Sequence, residues 1–144
     1  MKIEFTVNKV VFLTAIHIVS STIDSLNVDS EMLTSWKMTK MDLANAKLFK
    51  QHLHFKSTDA KNTELTLTFT GELNQLEAFS NVIDRGIQVF STCAYNGPEE
   101  YRTLQKLDFA GVSSFRNQLL EFIPGETKKG CFLIISLTTE AKED

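Results

Sequence analysis

Four basic or titratable side chains alternate near the middle of the chain, as Lys50, His52, His54 and Lys56. Because alternate side chains of an extended strand point to the same face, this spacing predicts a row of cations on one side of a strand. Such a row can bind an acidic protein surface, a phosphorylated ligand or a nucleic-acid backbone. The alternative interpretation is an exposed strand face whose lysines prevent edge-to-edge aggregation.

Positive charge is concentrated around this row. Residues 35–62 contain six lysines and two aspartates, a net charge of +4, whereas the whole chain has a formal net charge of −3. An acidic body with one basic region predicts a protein partner that has an acidic surface. Nucleic acid is the alternative partner, although no aromatic or arginine side chain interrupts the row to stack on a base.

The spacing of His52 and His54 also suits two metal ligands on one strand face. A usable metal site needs a third ligand, and the next predicted strand supplies only Glu64 and threonines. A small metal-dependent hydrolase that uses His52 and His54 is therefore kept as an alternative. The sequence predicts no metal ion and no other cofactor.

Cys93 is the one candidate for nucleophilic catalysis. It lies in an apolar run that is predicted to form a buried strand, and a thiol in such a place is usually inert. The chain also has no glycine-rich phosphate loop. We therefore expect no catalytic residue, and we interpret Cys93 and Cys131 as buried thiols in a reducing compartment.

The composition is that of a globular protein with a large core. Of its 144 residues 42% are hydrophobic, and eleven phenylalanines greatly outnumber two tyrosines and one tryptophan. Residues 1–7 alternate in polarity, unlike a signal peptide, and no stretch approaches the ~20 apolar residues of a membrane-spanning helix. We expect a cytoplasmic protein that does not bind membranes.

The apolar spacing along the chain predicts an α+β domain over residues 1–139, with a charged tail at 140–144. The sheet is expected to be mostly antiparallel, with about six strands covered by three or four helices in the order β-α-β-β-β-α-β-α-(α)-β. The predicted strands cover residues 1–7, 33–40, 49–56, 64–70, 87–94 and 131–137. Helices are predicted at 9–26, with strand as the alternative, at about 71–86, with Gly86 at its end, and from Pro98 to about 122.

The hairpin over residues 47–70 is the strongest structural prediction, because two alternating runs flank a polar loop. Trp36, the only tryptophan, lies close to it in sequence and could anchor an interface if it is exposed. We therefore expect a non-enzymatic interaction protein, such as a small adaptor, inhibitor or immunity-type module of a bacterium or phage. It would bind its partner through the basic hairpin face, and it could also form a homo-oligomer.

Overall fold

The computed structural model describes residues 1–28, 30–96 and 109–124. These residues form one antiparallel sheet with the strand order β1-β3-β2, together with five helices, and the side chains that the sheet buries all lie on one of its faces. The elements are β1 (Lys2–Asn8), α1 (Lys9–Val28), α2 (Ser30–Ser35), α3 (Lys40–Gln51), β2 (Leu53–Thr58), β3 (Glu64–Thr70), α4 (Leu73–Asn96) and α5 (Phe109–Leu120). The predicted α+β class is confirmed.

The first strand and the first helix follow the sequence pattern. In β1, Ile3, Phe5 and Val7 are buried and the residues between them are exposed. Asn8 then begins α1, because its side-chain Oδ1 accepts hydrogen bonds from the backbone N–H groups of Val10 and Val11 at 2.9 and 3.1 Å. The helix prediction for residues 9–26 is confirmed, and the strand alternative is wrong.

The loop between β2 and β3 is closed by Asp59. Its Oδ1 accepts hydrogen bonds from the backbone N–H groups of Thr63 and Glu64, and its Oδ2 accepts one from the Thr63 hydroxyl. These bonds hold the pKa of Asp59 below its ordinary value, because they favour the ionised carboxylate. The bond from the Thr63 hydroxyl lowers this pKa most, followed by the bonds from the two backbone N–H groups. This local network fixes the turn of the predicted hairpin.

The prediction of about six strands is not supported: five of them were predicted within the described residues, which contain three. Residues 33–40 span the end of α2, a turn and the first residue of α3, where a strand was expected. The reason is a capping box: Thr39 Oγ1 accepts the Asp42 N–H, and the Asp42 carboxylate accepts the Thr39 N–H. Helix α3 begins here and runs to Gln51, so only residues 53–56 of the predicted strand 49–56 are extended, in a strand β2 that continues to Thr58.

Residues 87–94 are also helical, and the strand predicted there is wrong. Helix α4 continues through Gly86, which does not end it. A Cβ atom at Gly86 would collide with the side chains of Ile18 and Thr22 on α1. The glycine therefore lets α1 and α4 pack closely, and the helical apolar face continues beyond it to Ile87 and Phe90.

The C-terminal predictions have two outcomes. Helix α5 confirms the predicted apolar stripe, because Val112, Phe115 and Leu119 are buried. The helix start at Pro98, the strand at 131–137, Cys131 and the tail at 140–144 lie outside the described residues.

Helix α1 differs from the sequence expectation in one further respect. By length and composition it is the one helix among the described residues that is apolar enough to cross a membrane. Core helices of soluble proteins and signal sequences meet the same criterion, and 33% of its most apolar window is buried inside the structure. Its buried side chains include Ile18, Val19 and Leu26, which belong to the core.

Candidate functional site

The structure separates the four side chains that the sequence placed in one row. Lys50 lies in the last turn of α3, where its Nζ donates a hydrogen bond to Ser20 Oγ of α1 at 3.0 Å. His52 is the residue that ends α3. Only His54 and Lys56 lie on β2. The predicted row of four cations is therefore wrong, because the capped helix α3 extends through Gln51.

His52 is turned towards the protein interior. Its Nδ1 lies 3.3 Å from Oε1 of Gln75 on α4, and its ring stacks on Phe69 with ring centroids 6.5 Å apart. The described residues contain no group of three His, Cys, Asp or Glu side chains that could hold a metal ion. Cys93 lies in α4, where a strand was predicted.

One row of side chains across the sheet is buried at one end and exposed at the other. The register aligns Phe5 on β1 with Leu67 on β3 and Phe55 on β2. All three side chains therefore point to the face that carries the helices. Phe5 is 3% exposed and Leu67 is 4% exposed, but Phe55 is 63% exposed. The end of this row at β2 is thus an uncovered apolar position.

The helices account for this difference. Phe115 of α5 packs on Phe5, with ring centroids 5.6 Å apart. In the neighbouring row, Phe49 of α3 packs on Phe69 at 4.3 Å. Within the described residues no aromatic ring of any helix pairs with Phe55, which leaves this part of β2 open to solvent.

The opposite face of the sheet is polar. Its central row contains Glu4, Thr68 and His54. Lys56 lies at an irregularity in the pairing of β2 with β3, and its Nζ crosses the face to Glu4 Oε1 at 2.6 Å. Both partners are more than half exposed, and such surface ion pairs contribute little to stability. The face is therefore solvated, and its lysines are Lys56 on β2 and Lys2 on β1.

The open position of Phe55 lies on an edge strand. In the sheet order, β3 is the only neighbour of β2 among the described residues. The other side of an edge strand presents N–H and C=O groups that can pair with a further strand. Five of the six residues of β2 are exposed. We call Leu53–Thr58, with its free side, the β2 edge.

The opposite edge is partly closed. Gln118 of α5 donates a hydrogen bond from Nε2 to the backbone carbonyl of Thr6 on β1 at 3.1 Å. This amide satisfies an acceptor of β1 at the point where a further strand would pair. Within the part of the chain that the structure describes, β2 has no comparable side-chain bond on its free side.

Trp36 is not part of the β2 edge. It follows α2, is half-buried and packs against the hydrophobic core. Helix α2 packs chiefly on α1, whereas β2 packs chiefly on β3. The alternation over residues 49–56 predicts Phe55 on the buried face, opposite the predicted row of cations. Its ring does lie on the helix-bearing face, but it is the most exposed apolar side chain of the sheet. Its alternation with charged residues gives no signal that distinguishes it from Phe5.

Comparisons of the chain with protein-family models, curated proteins and solved structures find no match. The functional interpretation therefore depends on the geometry of the described surface.

Proposed function

We propose that this protein is a non-enzymatic interaction module of the cytoplasm that binds a protein partner through the β2 edge. One observation carries the proposal: Phe55 is 63% exposed on a sheet face whose other aromatic side chains are buried. Phenylalanine has no polar group that gains from water, and aromatic side chains are enriched in the cores of protein interfaces. Binding a partner would bury this ring.

The backbone of β2 supports the same proposal. Strand addition joins an extended segment of a partner to an exposed sheet edge, and the main-chain hydrogen bonds supply much of the affinity. An edge strand with one exposed aromatic side chain offers both the backbone groups and a side-chain contact. The β1 edge offers less, because Gln118 already occupies the Thr6 carbonyl.

Charge supports a partner that has an acidic surface. The β2 edge carries Lys56 and His54 on its polar face, within a segment of net charge +4. Among the described residues Lys56 is held by the exposed ion pair with Glu4 alone, so it can turn to a new carboxylate at little cost. Lys50 is already bonded to Ser20 and adds nothing to this edge.

The proposal is tested by capturing partners from the native host with wild-type protein and two variants. Phe55→Ser removes the exposed ring of the β2 edge. Met41→Ser is the matched control, because Met41 is 68% exposed and lies on α3. We expect both variants to keep the circular dichroism spectrum of the wild type, and only Phe55→Ser to lose the captured partner.

Two results would contradict the proposal. In the first, the Phe55→Ser variant retains the partner as well as the wild type does. In the second, a gel shift at low salt shows a complex with DNA or RNA that weakens steeply as salt rises. Loss of that complex in a Lys56→Glu variant would assign the basic residues to nucleic acid.

A further inference from the structure

We infer that the β2 edge accepts an extended segment in which apolar and acidic residues alternate. This inference rests on the proposed function and names the chemistry of the partner. A strand added to β2 would direct alternate side chains to the two faces of the sheet. One set would lie beside Phe55 on the helix-bearing face, and the other would lie beside His54 and Lys56 on the polar face.

Strand β1, which pairs with the other side of β3, shows which pattern of side chains suits the two faces of this sheet. Its residues Ile3 and Phe5 point to the helix-bearing face and are buried, while Glu4 between them points to the polar face. Glu4 reaches across β3 to Lys56 at 2.6 Å. The sheet is thus already paired with an apolar–acidic–apolar sequence at one edge. The same rows continue to β2. There Phe55 has Leu67 on one side but no apolar neighbour among the described residues on the free side of the strand, and Lys56 could pair with a carboxylate on a strand added at that side.

A second copy of this chain fits the β2 edge poorly. In a continuous antiparallel sheet, two β2 strands related by a two-fold axis would bring His54 and Lys56 of both copies onto one polar face. Like charges on neighbouring strands are unfavourable, and edge lysines commonly prevent such pairing. The β1 edge of a second copy is partly closed by Gln118. Residues 131–137 of the chain itself contain no carboxylate to pair with Lys56.

The inference is tested with fluorescein-labelled peptides and the full chain, by fluorescence anisotropy. The probe is an alternating valine–glutamate peptide of 6 residues, the length of β2. The controls are an alternating valine–lysine peptide and a peptide with the valines and glutamates in two blocks. We expect the alternating acidic peptide to bind about tenfold more tightly than either control. The valine–lysine peptide would place lysines beside Lys56, and the block peptide would not separate its apolar and acidic side chains onto the two faces of the sheet.

Variants identify the residues that set this preference. Lys56→Glu should reverse the preference between the acidic and basic peptides. Lys61→Glu is the control, because it makes the same change of charge in the loop that follows β2. Phe55→Ser should weaken the binding of both alternating peptides, whereas Met41→Ser should leave both affinities unchanged.

The possible failures are distinguishable. If partner capture depends on Phe55 but the peptides bind equally well, the inference is overturned and the proposed function stands. Absence of peptide binding to the full chain overturns the inference as well. If sedimentation shows a dimer that Phe55→Ser dissociates, the edge belongs to a second copy. If neither partner capture nor peptide binding changes in Phe55→Ser, both proposals are wrong.

Discussion

Among the described residues, the two edge strands of the sheet share an alternation of apolar and polar residues but have different surroundings. In β1, Ile3, Phe5 and Val7 alternate with polar residues and are all buried. In β2, Leu53 and Phe55 alternate with polar residues in the same way, yet Phe55 is largely exposed. The difference arises from α5, which packs Phe115 on Phe5 and bonds Gln118 to Thr6. Alternation therefore establishes the face of a side chain, and a second element decides whether that face is covered.

Truncating the two aligned phenylalanines should give the largest contrast between the edges. We expect Phe5→Ala to lower the free energy of unfolding by about 3–5 kcal/mol, because it leaves a cavity beneath Phe115. Phe55→Ala should lower it by less than about 1 kcal/mol, since the ring is mostly solvated. Urea unfolding followed by circular dichroism measures both values. Equal losses would show that Phe55 is covered in solution.

The hydrogen bond that closes the β1 edge should have a smaller effect. We expect Gln118→Ala to lower the free energy of unfolding by about 0.5–1.5 kcal/mol, because the Thr6 carbonyl loses its partner. Asn117→Ala is the matched control on the exposed side of α5 and should change stability by less than about 0.5 kcal/mol. The same urea titration compares the two variants. A larger loss in the control would mean that Gln118 does not stabilise this edge.

The ion pair between the two edges should contribute less again. A double-mutant cycle with Glu4→Ala and Lys56→Ala should give a coupling free energy below about 1 kcal/mol. The coupling should also fall when the salt concentration is raised, because both groups are exposed and screened. A coupling that is insensitive to salt would contradict the proposal that Lys56 is free to exchange Glu4 for a partner's carboxylate.

The turn that joins β2 to β3 should give the smallest effect and a defined pH dependence. The lowered pKa of Asp59 means that the folded protein favours the carboxylate. Its stabilisation is therefore present above about pH 4, where the carboxyl group of the unfolded chain is ionised, and it is lost as the pH falls through the lower folded pKa. Asp59→Asn should be less stable than wild type at pH 7 and equally stable at low pH. Thermal unfolding at both pH values measures this, and a constant difference would contradict it.

Local signals in the sequence were sufficient for parts of the fold. The alternation of β1, the cap at Asn8 and the apolar stripe of α1 all depend on neighbours in the chain, and each is present in the structure. The start of α3 also had a local signal, because Thr39 and Asp42 have the spacing of a capping box and precede an apolar helical stripe. The alternation of residues 49–56 competes with that signal and gave the wrong boundary.

Other features depended on packing between distant parts of the chain. Gly86 has the sequence character of a helix end, and its place inside α4 is explained only by the close approach of α1. Lys50 and His52 belong to one alternating run in the sequence, but their partners are Ser20 on α1 and Gln75 on α4. No local pattern encodes these partners.

The sequence by itself determined the α+β class, the concentration of positive charge around residues 35–62 and the face of the sheet to which Phe5 and Phe55 point. Only the tertiary structure decided that α5 covers Phe5 and that no described helix covers Phe55 in the same way. The physical reason is that strand periodicity follows from backbone geometry within a few residues. Burial requires another element to reach the same place, and that element can be anywhere in the chain.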